Sequence, residues 1–195
     1  MKTISIIEDW VNPGSTILDL GCGDGFILES LQKNKSAKGL GVEIDEENIK
    51  KCLQKKLNVI EQNIDEGLSN FLDKSFDVVL VSKTIQVLKN PKSTLEEITR
   101  IGKEGIIVIP NFGHWKSRLT VLFKGKMPVT DSLPEQWYDT PNIHLCTLLD
   151  FESLCDELQI SIIEKKIISS KGAQSWYLSI FPNLLGGSVV YKVSK

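Results

Sequence analysis

Four positions in seven, Asp19, Gly21, Gly23 and Gly25, form the run Asp-x-Gly-x-Gly-x-Gly, and Glu43 follows 20 residues beyond Gly23. Glycine inside a strand or helix costs roughly 0.5–1 kcal/mol against alanine. Three glycines so close together therefore read as a place where the backbone must approach something. A carboxylate directly ahead of such a turn can accept charge-assisted hydrogen bonds. An acidic residue about 20 positions on is what a ribose-binding β-α-β unit requires, since a carboxylate accepts from both ribose hydroxyls. The alternative is a plain tight turn and a solvated strand end, but the joint spacing favours a ligand. Spacing also separates the known glycine-rich turns. A P-loop needs Gly-Lys-Ser/Thr after the strand, which is missing, and a dinucleotide fingerprint would need glycine at 26, where the chain has Phe26.

Such a turn must be carried by a strand leading into a helix. Thr16–Leu20 reads as that strand and Phe26–Gln32 as the helix after it. Lys38–Glu43 reads as the second strand, Glu46–Lys55 as a helix begun by Asp45 as N-cap, and Asn58–Gln62 as the third strand. Phe76–Val81, almost all apolar after Asp77, has the character of a central strand buried on both faces. Lys92–Ile101, preceded by Pro91, reads as a helix, and Gly105–Ile109 as a fifth strand closed by Pro110. This alternation predicts an α/β fold with a mostly parallel sheet. Toward the C-terminus a helix over Asp150–Leu158 precedes two strands, Ile160–Ile168 and Ser188–Val193, which would be antiparallel. Trp176–Phe181 reads as a further strand or as part of their connection.

Composition removes several classes of partner. The 195 residues read as one domain. A net charge of −2 and a pI near 5.8 leave no electrostatic footprint for nucleic acid. The N-terminus has one lysine and a short apolar run broken by Glu8 and Asp9, unlike a signal peptide, and no apolar run reaches membrane-spanning length. Cys22, Cys52, Cys146 and Cys155 include no C-x-x-C pair, which argues against zinc, a redox motif or a disulfide framework. The expectation is a cytoplasmic protein with no metal, membrane or nucleic-acid partner.

Beyond the third strand, Asn63, Ile64 and Asp65 stand where a base attached to that ribose would lie, with the Asn63 amide accepting without charge assistance. Cys22 in the turn, Ile44 beside Glu43, and Ser82 after the fourth strand complete the expected contact set. No catalytic residue is assigned, because Ser82–Gln86 offers no evident base; alignment alone can supply much of the acceleration for a strong nucleophile. The segment Asn111–Thr147, inserted after the fifth strand, holds His114, His144, Trp115 and Trp137. An insertion of this length reads as functional, either a lid or an interface. If Trp115–Phe123 is helical, Trp115, Leu119 and Leu122 make an apolar stripe beside Lys116, Arg118 and Lys124. The stripe either packs on the domain or meets something else, and the histidines read as hydrogen-bonded structural residues rather than catalytic ones. His114, Trp115, Arg118, Trp137, Tyr138 and His144 are the candidate lid or partner surface.

The run Asp19–Gly25 resembles motif I of the class I S-adenosylmethionine-dependent methyltransferases. The place where methyltransferases of nucleobase amino groups carry Asn/Asp-Pro-Pro-aromatic is here Ser82-Lys83-Thr84-Ile85. The segments DLGCGDG, GVEID, IDEGL, PNFGHWKSRL, KGKMPVT and EQWYDTPNIHLCT, followed by DFESLC, resemble in order the MetW family of methionine-biosynthesis proteins. That resemblance implies a Rossmann-like class I methyltransferase fold with strand order 3-2-1-4-5-7-6 and the seventh strand antiparallel. It also implies a pocket for S-adenosylmethionine or S-adenosylhomocysteine, and partnership with the homoserine O-acyltransferase MetX, whose activity the protein would promote or regulate. The other reading is an active methyltransferase whose small-molecule acceptor is capped by Asn111–Thr147.

Overall fold

Val78, Val79, Leu80 and Val81 are all buried, with Val78 and Leu80 in one apolar layer and Val79 and Val81 in the other. A strand is apolar at successive positions only where both its faces are covered. β4 (Phe76–Ser82) accordingly sits in the middle of the sheet. The computed structural model describes residues 3–131, 133–169 and 175–195. Met1, Lys2 and Ser132, the last within the 111–147 segment, lie outside the described residues.

The remaining strands are β1 (Thr16–Leu20), β2 (Lys38–Glu43), β3 (Asn58–Glu61), β5 (Gly102–Pro110), β6 (Ser161–Ile168) and β7 (Ser188–Ser194). Their order is β3-β2-β1-β4-β5-β7-β6, with β1 to β5 parallel and β7 antiparallel to both its neighbours. This is the fold expected from the sequence. Seven α-helices are assigned among the described residues: α1 (Thr3–Trp10), α2 (Phe26–Lys35), α3 (Glu46–Gln54), α4 (Pro91–Ile101), α5 (Trp115–Lys124), α6 (Leu148–Glu157) and α7 (Pro182–Leu185). One face of the sheet packs against Leu95, Ile98 and Phe151 of α4 and α6, the other against Ile6, Ile7, Leu28 and Leu31 of α1 and α2. Each such side chain contributes about 1.5–3 kcal/mol through burial.

Local chemistry explains where the elements differ from expectation. The helix α1 falls on a stretch read only as a short apolar run; its Ile6 and Ile7 face the core. α2 continues to Lys35, where Ser36 turns left-handed at φ 53° and donates its N–H to Leu31 O. α6 begins two residues before Asp150 because Thr147 and Asp150 form a reciprocal capping box. β5 starts at Gly102, three residues early, paired with Phe76 of β4. Trp176–Phe181 is not a strand. Its bonds close locally, Leu178 N to Ser175 O and Leu184 N to Phe181 O, giving a 3-10 turn over Trp176–Ser179 and then α7, with Pro182 in its first turn.

β1 lies between β2 and β4, so the chain leaves it in opposite directions on its two sides. A crevice opens at the carboxyl ends of the strands there, the usual ligand position in open α/β sheets.

Candidate functional site

The turn after β1 is tied to β2 by two backbone bonds, Gly21 N and Cys22 N to Val42 O at 2.8 and 3.1 Å. A third tie comes from a side chain: Gly23 N donates to Glu43 Oε2 at 2.7 Å. Glu43 Oε1 accepts from Ile44 N and Asp45 N at 2.8 and 3.0 Å. The carboxylate thus orients the glycine turn and the start of the β2 loop, with lone-pair capacity left for a further donor.

The three glycines do different work. An added Cβ at Gly21 would stand 2.5 Å from Thr84 Cγ2, and one at Gly25 would stand 2.4 Å from Leu57 Cδ1. Both are therefore set by close approach of neighbouring elements. Gly23 has φ 56°, and nothing lies within 4 Å of where its Cβ would be. Its missing side chain faces open space.

Asp19 lies behind this turn, 1% exposed, and neither of its carboxyl oxygens has a hydrogen-bond partner. Burial first, and the nearby Glu43 carboxylate second, push its pKa up to about 7. A buried carboxyl without partners is costly in a finished fold. It is what an arriving ammonium group would satisfy.

A cleft of about 410 Å³ at the strand ends is lined by Gly21, Glu43, Ile44, Asn63, Ile64 and Asp65. These expected residues come from three separate stretches of chain and meet at one place. Asn63 Oδ1 accepts from Asp65 N at 3.1 Å, capping a 3-10 turn over Ile64–Glu66, while its Nδ2 donates to Glu66. Asp65 Oδ1 accepts from Lys89 N at 2.8 Å. Gln62, Lys83, Thr84, Val87 and Leu88 also line the cleft and were missed. They follow β3 and β4, and the one signal available was their position after strands. Ser82 ends β4 half-buried, and the following two residues take the cleft position instead. The Cys22 side chain is turned away, its Sγ 4.0 Å from Cys52 Sγ, and burial raises its pKa.

The insertion is held at both ends. Asn111 Nδ2 donates to Asn183 O and Gly186 O, and Ile143 N and His144 N donate to Gln86 O at 2.9 and 3.0 Å. His114 is buried and caps α5, its Nδ1 accepting from Lys116 N, and burial lowers its pKa. His144 is exposed. Of α5 only Ser117 is buried, so the expected apolar stripe does not pack on the sheet. Trp115 and Leu119 are about 40% exposed and Leu122 is 72% exposed. Arg118 reaches back to Gly113 O at 2.6 Å. Trp137 and Tyr138 meet edge to face at 5.6 Å, both about 70% exposed. A groove of about 630 Å³ runs beside Trp115, Leu119, Phe123, Val129 and Pro134. It is larger than the strand-end cleft but contains no residue of the glycine turn.

Among the described residues no cluster of His, Cys, Asp or Glu could hold a metal ion, and no helix is long and apolar enough to cross a membrane. The model of the family described as methionine biosynthesis protein MetW matches residues 2–193. The chain belongs to the MetW family. A curated relative, the bifunctional methionine biosynthesis protein MetXA/MetW of Rhodopirellula baltica, is 31% identical over 83% of this chain. The chain spans 27% of that protein's length and at most 42% of the curated relatives it matches. Among solved structures, a chain from the Haloferax volcanii complex of the Trm112 methyltransferase activator with a methyltransferase superposes with TM-score 0.70 at 18% identity, covering 98% of this chain and 88% of that one. An S-adenosylmethionine-dependent methyltransferase of Thermotoga maritima, described as a possible histamine N-methyltransferase, gives 0.69 at 19%, covering 98% and 86%. These structural likenesses show the methyltransferase fold.

Proposed function

We propose that the protein is an S-adenosylmethionine-binding subunit of methionine biosynthesis that promotes or regulates a homoserine O-acyltransferase. The partnership is carried by one observation, that the Rhodopirellula relative joins MetXA and MetW in a single chain. Natural fusion raises the effective concentration of two modules that act together.

The ligand half is supported by the site itself. The two unpartnered oxygens of Asp19 and the open space at Gly23 fit an adenosyl amino acid. Asp19 would take the ammonium, Glu43 the ribose hydroxyls, and Asn63, Ile64 and Asp65 the adenine edge. When bound, S-adenosylmethionine supplies a methyl group on a sulfonium, and S-adenosylhomocysteine supplies none. Both leave the binding role of the residues unchanged. In this reading Trp115, Trp137, Tyr138 and Arg118 on the 111–147 insertion contact the acyltransferase, since aromatic residues and arginine are enriched at interface centres.

A second reading, methyl transfer to a small molecule, draws support from the same cleft. One paired experiment separates them: acyltransferase rate with and without this protein, and methyl release from S-adenosylmethionine with candidate acceptors. The proposal expects the acyltransferase rate to change, and calorimetry to show S-adenosylmethionine bound. An unaffected acyltransferase together with methyl release would replace it by the second reading.

A further inference from the structure

The turn after β4 carries a cation that the reading above leaves unused. Lys83 lines the strand-end cleft with its backbone at φ 59°. That left-handed conformation is uncommon outside glycine, and it persists only where the surroundings over-determine it, often at ligand sites. Two bonds fix it here. Lys83 N donates to Val108 O at 2.9 Å, and its carbonyl accepts from Gln86 Nε2 at 2.7 Å. The next residue, Thr84, packs against Gly21 so closely that no Cβ fits between them. Lys83 therefore stands at the glycine-turn end of the cleft, across Gly21 from the end of β1 that bears Asp19.

The other charged groups lining the cleft are already engaged. Glu43 accepts three backbone N–H groups, and Asp65 accepts from Lys89 N. Among the described residues the Lys83 ammonium makes no ion pair or hydrogen bond. It is a compact point charge on a flexible four-carbon stem, suited to meeting a carboxylate that arrives with a ligand. An α-amino acid presents an ammonium and a carboxylate on one carbon, so a site for it needs one group of each sign within a short span. Asp19 supplies the negative one.

We propose that Lys83 reads the carboxylate of the ligand's amino-acid end and so makes the cleft selective for adenosyl amino acids over adenosyl thioethers that lack that end. The inference rests on the S-adenosylmethionine reading and assigns the specificity within it. Its test uses calorimetry on the full chain with two ligands, S-adenosylhomocysteine and 5′-methylthioadenosine, which share the adenosine and differ in the amino-acid end. Lys83→Met keeps side-chain length and places no more strain on the left-handed backbone than lysine does; Lys83→Arg keeps the charge. Lys83→Met is expected to weaken S-adenosylhomocysteine about tenfold or more while changing 5′-methylthioadenosine less than about twofold, and Lys83→Arg to stay near wild type for both. If Lys83→Met binds S-adenosylhomocysteine as wild type does, the carboxylate is read elsewhere and the inference fails while the cofactor reading stands. Equal weakening of both ligands would make Lys83 a shaper of the turn, and would overturn it too. Wild-type protein that binds neither ligand overturns the cofactor reading, and this inference with it.

Discussion

Replacing Asp19 by asparagine should stabilise the ligand-free protein at high pH and weaken ligand binding. The carboxyl is 1% exposed and without partners, and its pKa is raised from 3.8 to about 7, mainly by burial. The folded state therefore holds this proton more tightly than the unfolded chain does. The stability that proton contributes is complete below pH 3.8 and is lost as pH rises through about 7. At about 1.4 kcal/mol per pH unit, the span from 3.8 to about 7 amounts to about 4 kcal/mol. Asp19→Asn removes the charge but leaves an amide short of partners, which costs about 1–3 kcal/mol. The net gain at pH 8.5 should be about 1–3 kcal/mol, or about 2–12 °C in melting temperature for a chain of this size. At pH 5 only about 1.7 kcal/mol of that span has been lost, which the amide cost offsets, so the substitution should be close to neutral there. Thermal melts of both proteins at the two pH values measure the difference directly. A melting difference that does not change with pH, or a loss that deepens at pH 8.5, would refute the reasoning, because Asp19 would then be a satisfied charge. The same variant should bind S-adenosylmethionine about tenfold more weakly or worse, since an ammonium loses its charged partner. Opposite signs for stability and binding at one residue are the mark of a group kept for a ligand.

Three further substitutions probe the rest of the site. Glu43→Ala should lower S-adenosylmethionine affinity tenfold or more by calorimetry, from losing roughly 1.5–3 kcal/mol of charged hydrogen bonding, and should also lower the melting temperature because Gly23, Ile44 and Asp45 lose their acceptor. Gly23→Val should leave the circular dichroism spectrum close to wild type, at a strain cost of roughly 1–3 kcal/mol for a branched residue at φ 56°, while abolishing binding; normal binding would mean the glycine serves the turn alone. Trp115→Ala should weaken the complex with homoserine O-acyltransferase by about 2 kcal/mol or more in analytical gel filtration and leave cofactor affinity within about threefold. If Trp137→Ala and Arg118→Ala also left that complex intact, the insertion would be better described as a lid.

Most of the fold was legible because its causes are local. β1 and β2 occupy the expected residues, and β3 and β4 end within one residue of them, since runs of branched apolar residues bounded by turn formers need no distant information. Asp45 caps α3 as its type and place suggested, accepting from Asn48 N. The errors fall where a bond several residues away decides the boundary. Ser36 extends α2, and the Thr147–Asp150 box moves the start of α6.

The sequence by itself determined the glycine turn, the acids Asp19 and Glu43 at their spacing from it, and the family signature running through them. The turn and its two acids lie within one β-α-β unit, where chain connectivity already constrains distance. Tertiary structure alone decided three other matters. It placed Thr84 against Gly21 and Lys83 in the same cleft, more than 60 residues away in sequence, through the pairing of β1 with β4. It buried Asp19 without a partner, so that an ordinary carboxylate became a group titrating near neutrality. It also left α5 with only Ser117 buried. An amphipathic stripe states that a helix has an apolar face, but what that face meets depends on the elements that fold around it, and here the sheet's own helices already cover both of its faces.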